Sequence, residues 1–187
     1  MSSTPRQGLN ARQAETVEKL LAAGEEELRA VGHEGLTIRT VASRAGVSPA
    51  TAYTYFASRN QLFAELFLRR LVTDPPEPVG DSVVARLRSV TRHMATQLAE
   101  SPELAAAATL ALLGSDPEVE RLRLEIGTEF VERFRDAIGG SADPRVLEAL
   151  VLAFSGALLQ AGMGLMTYQE MGERLDSVVA VVMEGHA

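Results

Sequence analysis

The sequence predicts an all-α protein of about nine helices, and three observations lead to this fold class. Apolar residues recur at intervals of three and four along most of the 187 residues, the spacing that gives a helix one apolar face. Glycine, proline and helix-capping residues divide the chain into segments of helical length. Alternating apolar and polar residues, which would predict strands, do not extend over any useful length.

Four helices are predicted in the N-terminal part of the chain. Thr37, Ser48 and the capping-box pattern at 58–61 mark the starts of the second, third and fourth of them. Gly32 and Gly46 mark the ends of the first and second. The predicted bounds are 12–31, 38–45, 49–56 and 59–71.

A proline-rich stretch at residues 72–80 separates these helices from five others. It holds three of the eight prolines, and a proline inside a helix removes a hydrogen bond and clashes with the preceding turn. The helices predicted beyond it span 81–100, 102–113, 117–138, 144–166 and 169–183. We therefore expect four parts: a mobile tail at 1–10, an N-terminal domain at 11–71, a linker at 72–80 and a C-terminal domain at 81–187.

The composition excludes several classes of protein. Hydrophobic residues make up 46% of the chain, enough for a core, and the absence of cysteine excludes disulfides and thiolate metal sites. No run of about 18 uncharged apolar residues predicts a membrane span, and the polar N-terminus lacks the apolar centre of a secretory signal. These features favour a cytoplasmic protein that does not enter a membrane.

The net charge is unevenly distributed. A formal charge of −7 argues against a nucleic-acid partner when it is taken for the whole chain. Residues 1–71, however, carry nine basic and seven acidic side chains (+2), and residues 72–187 carry nine and eighteen (−9). Residues 37–71 contain five arginines and a single acidic residue, Glu65. Guanidinium groups suit phosphate contacts, although genomic base composition also explains a preference for arginine over lysine.

Residues 37–56, TIRTVASRAGVSPATAYTYF, describe a helix-turn-helix, in which two short helices are joined by a turn at Gly46. Small apolar side chains stand where the two helices cross closely: Val41, Ala42, Val47 and Ala52. The second helix directs other side chains away from that crossing: Pro49, Ala50, Thr51, Tyr53 and Tyr55. The motif predicts that this second helix reads DNA.

The chemistry of these side chains suits a DNA partner. The Thr51 hydroxyl can bond base edges or phosphate, and its methyl group can contact thymine. Tyr53 and Tyr55 carry hydroxyls at the ends of rigid arms, where phosphate contact is expected. Thr37 and Arg59 stand at helix starts, where backbone N–H groups and the helix dipole attract phosphate.

The segment from 35 to 67, GLTIRTVASRAGVSPATAYTYFASRNQLFAELF, resembles the TetR-type (TetR/AcrR) family of one-component transcriptional regulators. The resemblance rests on GVSPATAYTYF at 46–56, which has glycine, serine, threonine, tyrosine and phenylalanine at the family's fixed positions. Ala52 is smaller than the leucine or isoleucine more often found there, and Arg59 replaces the more frequent lysine. The C-terminal part resembles the family only in being helical and of suitable length.

The resemblance implies a helix-turn-helix DNA-binding domain followed by a domain for effector binding and dimerisation. It also implies a ligand-responsive repressor, which binds a pseudo-palindromic operator in double-stranded DNA and is released by a small effector. The composition of the middle helices, rich in alanine, leucine and methionine, favours an apolar effector but is also that of an ordinary helical core. The residues themselves do not decide between repression and activation. The side chains expected to contact DNA are Thr37, Arg39, Ser48, Pro49, Ala50, Thr51, Tyr53, Tyr55 and Arg59.

In this family, the last two helices form the homodimer interface and the middle helices enclose the effector. The last two predicted helices here are rich in small residues, which suit close packing against a twofold mate but could equally serve the domain's own core. The candidate effector-binding residues are polar or methionine side chains set mainly among apolar ones: His93, Met94, Gln97, Gln160 and Met163.

Two other interpretations compete with a DNA-binding regulator. An enzyme is disfavoured because His33, His93 and His186 are widely separated and no catalytic motif is present. We therefore expect no catalytic residue, no metal site and no cofactor. A helical module that binds a ligand or a partner and has lost its operator stays open, although intact Thr51 and Tyr53 count against it.

Overall fold

The computed structural model of the protein describes residues 10–140 and 143–184. Within these two ranges the chain forms nine α-helices and no strand, which confirms the predicted all-α fold class. The N-terminal helices are α1 (Ala11–Gly35), α2 (Ile38–Arg44), α3 (Pro49–Tyr55) and α4 (Arg59–Thr73). The C-terminal helices are α5 (Val83–Ala99), α6 (Pro102–Leu113), α7 (Pro117–Ile138), α8 (Pro144–Gly162) and α9 (Tyr168–Glu184).

Polar side chains cap the helices where the sequence predicts helix starts. Thr37, Ser48 and Ser58 each accept a hydrogen bond from the backbone N–H three residues further on, which opens α2, α3 and α4. Thr167 and Glu170 bond each other's backbone N–H groups in a capping box before α9. Each bond satisfies a donor that the first helical turn leaves without an intrahelical partner.

The first and fourth helices differ in detail from their predicted termini. α1 continues to Gly35, although Gly32 has a left-handed φ of 70° and kinks the helix there. At α4 the Gln61 side chain accepts a hydrogen bond from the Ala57 N–H at 2.8 Å, not from that of Ser58. The pattern at 58–61 therefore provides one cap bond rather than a reciprocal capping box.

The eighth helix ends at Gly162, short of the predicted end at 166. The Leu165 N–H donates to the Gln160 carbonyl at 3.0 Å, and the Gly164 N–H donates to the Ala161 carbonyl at 2.9 Å. This pair of bonds is the Schellman motif, which requires a left-handed residue directly after the C-cap. Gly164, with a φ of 75°, supplies that residue.

Two hydrophobic cores share α4. The N-terminal core is formed by buried residues of α1 to α4 and takes in Leu104 and Ala107 from α6. The C-terminal core is formed by α5 to α9 and takes in Ala64, Phe67 and Leu71 from α4. One face of α4 packs in the N-terminal core and another packs in the C-terminal core, so the position of the helix-turn-helix depends on both cores.

Polar contacts also join α4 to α7. The Ser58 hydroxyl donates to Oδ2 of Asp116 at 2.5 Å, while Oδ1 of the same carboxylate caps α7 by accepting from the Glu118 N–H at 3.0 Å. Arg121 on α7 pairs with Glu65 on α4 at 3.2 Å. The starts of these two helices are consequently held by one chain of hydrogen bonds.

Within the described residues, α8 is the one helix long and apolar enough to cross a membrane by length and composition alone. A single helix of this kind is weak support for a membrane span, because helices packed in protein cores have similar compositions. Only 28% of the most apolar 18-residue stretch of α8 is buried within this chain, so much of the helix is uncovered.

Candidate nucleic-acid interface

The helix-turn-helix forms through close packing of α2 on α3. Val41 and Ala42 of α2 and Ala52 of α3 are completely or almost completely buried. Between the helices, Gly46 adopts a φ of 68°, and the Val47 N–H donates to the Ala42 carbonyl at 3.0 Å. The left-handed glycine therefore turns the chain so that α3 presents its other face to solvent.

The exposed face of α3 carries the side chains that the sequence assigns to DNA. Pro49 and Ala50 are exposed in its first turn, and Tyr53 is 45% exposed one turn later. Thr51 is half-buried, and its hydroxyl lies 2.8 Å from the Ser48 hydroxyl, either of which can donate. These groups lie together on one surface, with a single aromatic side chain projecting from it.

The first turn of α1 lies beside this surface. Asn10, Arg12 and Gln13 line a groove together with Ser48, Thr51 and Tyr55, and Thr16 and Val47 complete the lining. Arg12 is not among the residues that the sequence predicts to contact DNA. The signal that could have found it is the Asn10 cap, which fixes a helix N-terminus directly before this arginine.

Three residues expected to contact DNA lie before or after α3 in the sequence and differ in their hydrogen bonds: Thr37, Arg39 and Arg59. The Thr37 hydroxyl accepts from the Thr40 N–H at 3.1 Å and caps α2. Arg39 is exposed and has no hydrogen-bond or ion-pair partner among the residues that the structure describes. Arg59 is exposed but donates to the Glu34 carbonyl at 3.2 Å, so it also caps the end of α1.

Most of the positive charge between residues 37 and 71 is already paired. Three of its five arginines bind carboxylates on other elements: Arg44 to Glu27 at 2.8 Å, Arg69 to Glu18 at 2.5 Å and Arg70 to Glu100 at 2.6 Å. Hydrogen bonds from Arg44 and Thr40 lower the pKa of Glu27, and the Glu18 carboxylate raises the pKa of Arg69. The local excess of arginine therefore overstates the charge available to a phosphate backbone.

Comparison with known proteins identifies the family. Residues 20–66 match the family model for bacterial regulatory proteins of the tetR family. HTH-type transcriptional regulators of Mycobacterium bovis and Mycobacterium tuberculosis are 47% identical to this chain over 180 residues, which cover 94% of it and 84% of each relative. The chain belongs to the tetR family.

Solved structures share the fold of this tetR-family regulator. A TetR transcriptional regulator from Rhodococcus sp. RHA1 superimposes with a TM-score of 0.78 at 19% identity and covers 95% of this chain and 100% of its own. Thermus thermophilus FadR, a TetR-family repressor in complex with lauroyl-CoA, gives 0.65 at 20% identity, with coverage of 91% and 94%. The family and these relatives are DNA-binding transcriptional regulators, as the resemblance at 46–56 implies.

The residues predicted to bind an effector do not form one cluster in this regulator. Gln97 lines a small cavity between α4, α5 and α6, and Met94 is buried in the C-terminal core. His93 faces the 74–80 segment, where its Nε2 lies 3.1 Å from the Asp74 carbonyl. Gln160 and Met163 are exposed at the end of α8 and do not line that cavity.

Proposed function

We propose that this regulator is a homodimeric, ligand-responsive repressor that inserts α3 into the major groove of a pseudo-palindromic operator in the cytoplasm. The observation that carries the proposal is the exposed surface of Pro49, Ala50, Thr51 and Tyr53 on a helix held rigidly by the N-terminal core. A helix of this size fits the major groove, and its first turn is the part that reaches base edges.

Contacts to the phosphate backbone are proposed to come from both sides of α3. Tyr53 and Tyr55 offer hydroxyl groups, and Arg39, with no partner among the described residues, offers a free guanidinium. Arg59 and the first turn of α1, with Arg12, add charge at helix N-termini, where backbone N–H groups favour an anion. These contacts fix the position of α3 and carry no sequence information of their own.

Sequence specificity then depends on more than one copy of α3. Its groove-facing side chains at Pro49, Ala50 and Thr51 are short and offer few groups that distinguish bases. A twofold dimer places two such helices at a fixed separation, which must match successive major grooves on one side of the operator. An effector that favours a different separation would release the DNA.

The uncovered face of α8 supports dimerisation through the last two helices. Leu152 on α8 is 65% exposed and Val181 on α9 is 69% exposed. A Cβ atom added at Gly156 would meet nothing within 4 Å, whereas one at Gly162 would press on Thr109 at 3.1 Å. Gly162 thus serves the chain's own packing, and Gly156 leaves room for a second copy.

The proposed DNA contacts are tested by a gel-shift titration on the DNA that flanks the protein's own coding region. We expect binding with a Kd of about 10 nM at physiological salt. A double variant, Tyr53→Phe with Arg59→Ala, should bind every sequence more weakly, and the salt slope of the dimer should fall by about two because each protomer loses one charged phosphate contact.

Arg135→Ala is the matched control, because Arg135 is an exposed arginine on α7 that pairs with Glu132. It should leave both the affinity and the salt slope unchanged. Circular dichroism checks that loss of the Arg59 bond to α1 has not unfolded the double variant. A folded double variant with the affinity and salt slope of the wild type would contradict the assignment.

A further inference from the structure

A buried arginine on α7 is incompletely satisfied. Arg133 is 6% exposed, and its Nη2 donates to the Leu71 carbonyl near the end of α4. Its Nε and Nη1 are buried and have no hydrogen-bond partner among the described residues. Burial lowers the pKa of this guanidinium, and the nearby carboxylates of Glu129 and Asp74 act in the opposite direction without bonding to it. A positive charge with free donors is thus enclosed in the protein.

A second unsatisfied group faces the same end of α4. The Gln97 side chain is 6% exposed, and its Nε2 donates to the carbonyl and the carboxylate of Asp74. Those two acceptors fix the orientation of the amide, so Oε1 is the atom left buried and without a partner. Arg133 and Gln97 therefore donate to the backbone carbonyls of Leu71 and Asp74, which are only three positions apart in the chain.

A small cavity of about 10 Å³ lies between α4, α5 and α6, so a ligand larger than a water molecule must open it. Most of its lining is apolar: Phe67, Leu71, Leu98, Leu104 and Ala105. Three polar residues complete the lining: Arg70, Gln97 and Ser101. Arg70 is neutralised there by Glu100. Arg133 does not line this cavity, but its bond to the Leu71 carbonyl places the buried guanidinium next to a residue that does.

We propose that an apolar-chain anion, a carboxylate or phosphate, binds here when the cavity opens, with Arg133 as the residue that binds its headgroup. The proposal rests on the effector-responsive function proposed above and names the chemical class of that effector. The acyl or alkyl chain lies against Phe67, Leu98 and Leu104, and its entry separates α4 from α5 and α6.

Two physical arguments favour an anion over a neutral ligand. A guanidinium has five N–H donors in a planar fork that matches the two oxygens of a carboxylate or phosphate. A buried charge without a bonded counterion is unfavourable, so a ligand that neutralises it gains more from binding than a neutral molecule of equal chain length. The free donors of Arg133 therefore select for negative charge.

The test compares headgroups on a constant eight-carbon chain. Isothermal titration calorimetry of the full-length protein measures binding of octanoate, octyl phosphate and octanol. At least one anion should bind about tenfold more tightly than octanol, the difference expected for a hydrogen bond to a charged group. The preferred anion identifies the headgroup as a carboxylate or a phosphate. This comparison needs no variant, so it cannot fail through misfolding.

The variant Arg133→Met keeps an apolar chain of similar length and removes the charge. It should bind the anions no more tightly than octanol, while the matched control Arg135→Met on the exposed side of α7 keeps the preference for anions. Equal binding of octanol and both anions to the wild-type protein would overturn the proposal. Retention of the anion preference in Arg133→Met would overturn it as well.

Operator binding in the gel shift separates this inference from the proposed function. If none of the three compounds binds at about 1 mM but the same preparation binds its operator, the anion site is wrong and the DNA-binding function stands. If the anions bind preferentially through Arg133 but no operator is bound, the site stands and the proposed repressor function is wrong. Release of the operator by the preferred anion, and not by octanol, would support both.

Discussion

Among the described residues, some arginine side chains fasten two helices together, and others keep donors free. Arg44 belongs to the first group, since it joins α2 to α1 through Glu27, a carboxylate that is 6% exposed. Arg39 and Arg133 belong to the second, one on the surface and one in the interior. A count of charges along the sequence cannot separate the two groups, because only the packing of the helices decides which arginine meets a carboxylate.

The Arg44–Glu27 pair should contribute to stability. We expect Arg44→Ala to lower the free energy of unfolding at pH 7 by about 1–2 kcal/mol, since it leaves a buried carboxylate without its main partner and Arg44 itself is partly solvated. The matched control is Arg29→Ala, which removes an exposed pair with Glu25 on the same helix and should change the stability by less than about 0.5 kcal/mol. Urea unfolding followed by circular dichroism measures both.

The same pair should make stability depend on pH. The pKa of Glu27 lies below its ordinary value of 4.5 in the folded protein, so its stabilising effect is present above pH 4.5 and is lost as pH falls through the folded pKa. The difference between wild type and Arg44→Ala should therefore shrink as the pH is lowered from 7 to about 3. A difference that stays constant over this range would contradict the role of Glu27.

Contacts between residues close in sequence could be predicted, and distant ones could not. Thr37 and Ser48 bond backbone groups three positions away, so their role as caps is visible in the sequence. Arg133 and Leu71 are 62 positions apart and meet only because α7 packs on α4. The anion site depends on a contact of the second kind, which explains why the sequence did not suggest Arg133.

At the scale of helices and turns, Gly46 controls how α2 and α3 are joined. Its φ of 68° is a conformation that side-chain-bearing residues adopt with strain, although a Cβ atom there would meet nothing within 4 Å. We expect Gly46→Ala to destabilise the protein by about 1–2 kcal/mol through backbone strain alone. Thermal unfolding followed by circular dichroism should show a lower midpoint for this variant.

Gly127→Ala should have the opposite effect on stability, although a Cβ atom there would also meet nothing within 4 Å. Gly127 lies exposed within α7, where alanine favours the helix by about 0.5–1 kcal/mol. Its unfolding midpoint should therefore rise. If both alanine variants moved the midpoint in the same direction, the left-handed conformation of Gly46 would not be what matters there.

Helix starts were easier to predict than helix ends. A serine, threonine or aspartate before a helix bonds its own first turn, so Thr37 and Ser48 mark α2 and α3 correctly. The end of α8 was misplaced because Gly164, rather than the last apolar residue at 166, supplies the left-handed conformation that stops the helix. Several glycines in one apolar segment do not reveal which of them adopts it.

At the scale of the whole molecule, the uncovered side of α8 predicts a dimer. Leu152→Glu should convert a dimer of twice the 20.1 kDa chain mass into monomers, because a charge would be buried in the interface without a partner. Light scattering after size-exclusion chromatography measures the mass. Leu124→Glu changes an equally exposed leucine on α7, 69% exposed, and should leave the dimer intact. A dimeric Leu152→Glu would exclude this face of α8 from the interface.

The sharing of α4 between the two cores has a consequence for how the chain unfolds. Leu62 and Leu66 lose their surroundings when the N-terminal core opens, and Phe67 and Leu71 lose theirs when the C-terminal core opens. Neither half can melt without exposing apolar surface of a helix that the other half needs. Heating should therefore produce one cooperative transition, and cleavage at the proline-rich segment should leave two fragments that are each less stable than the intact chain.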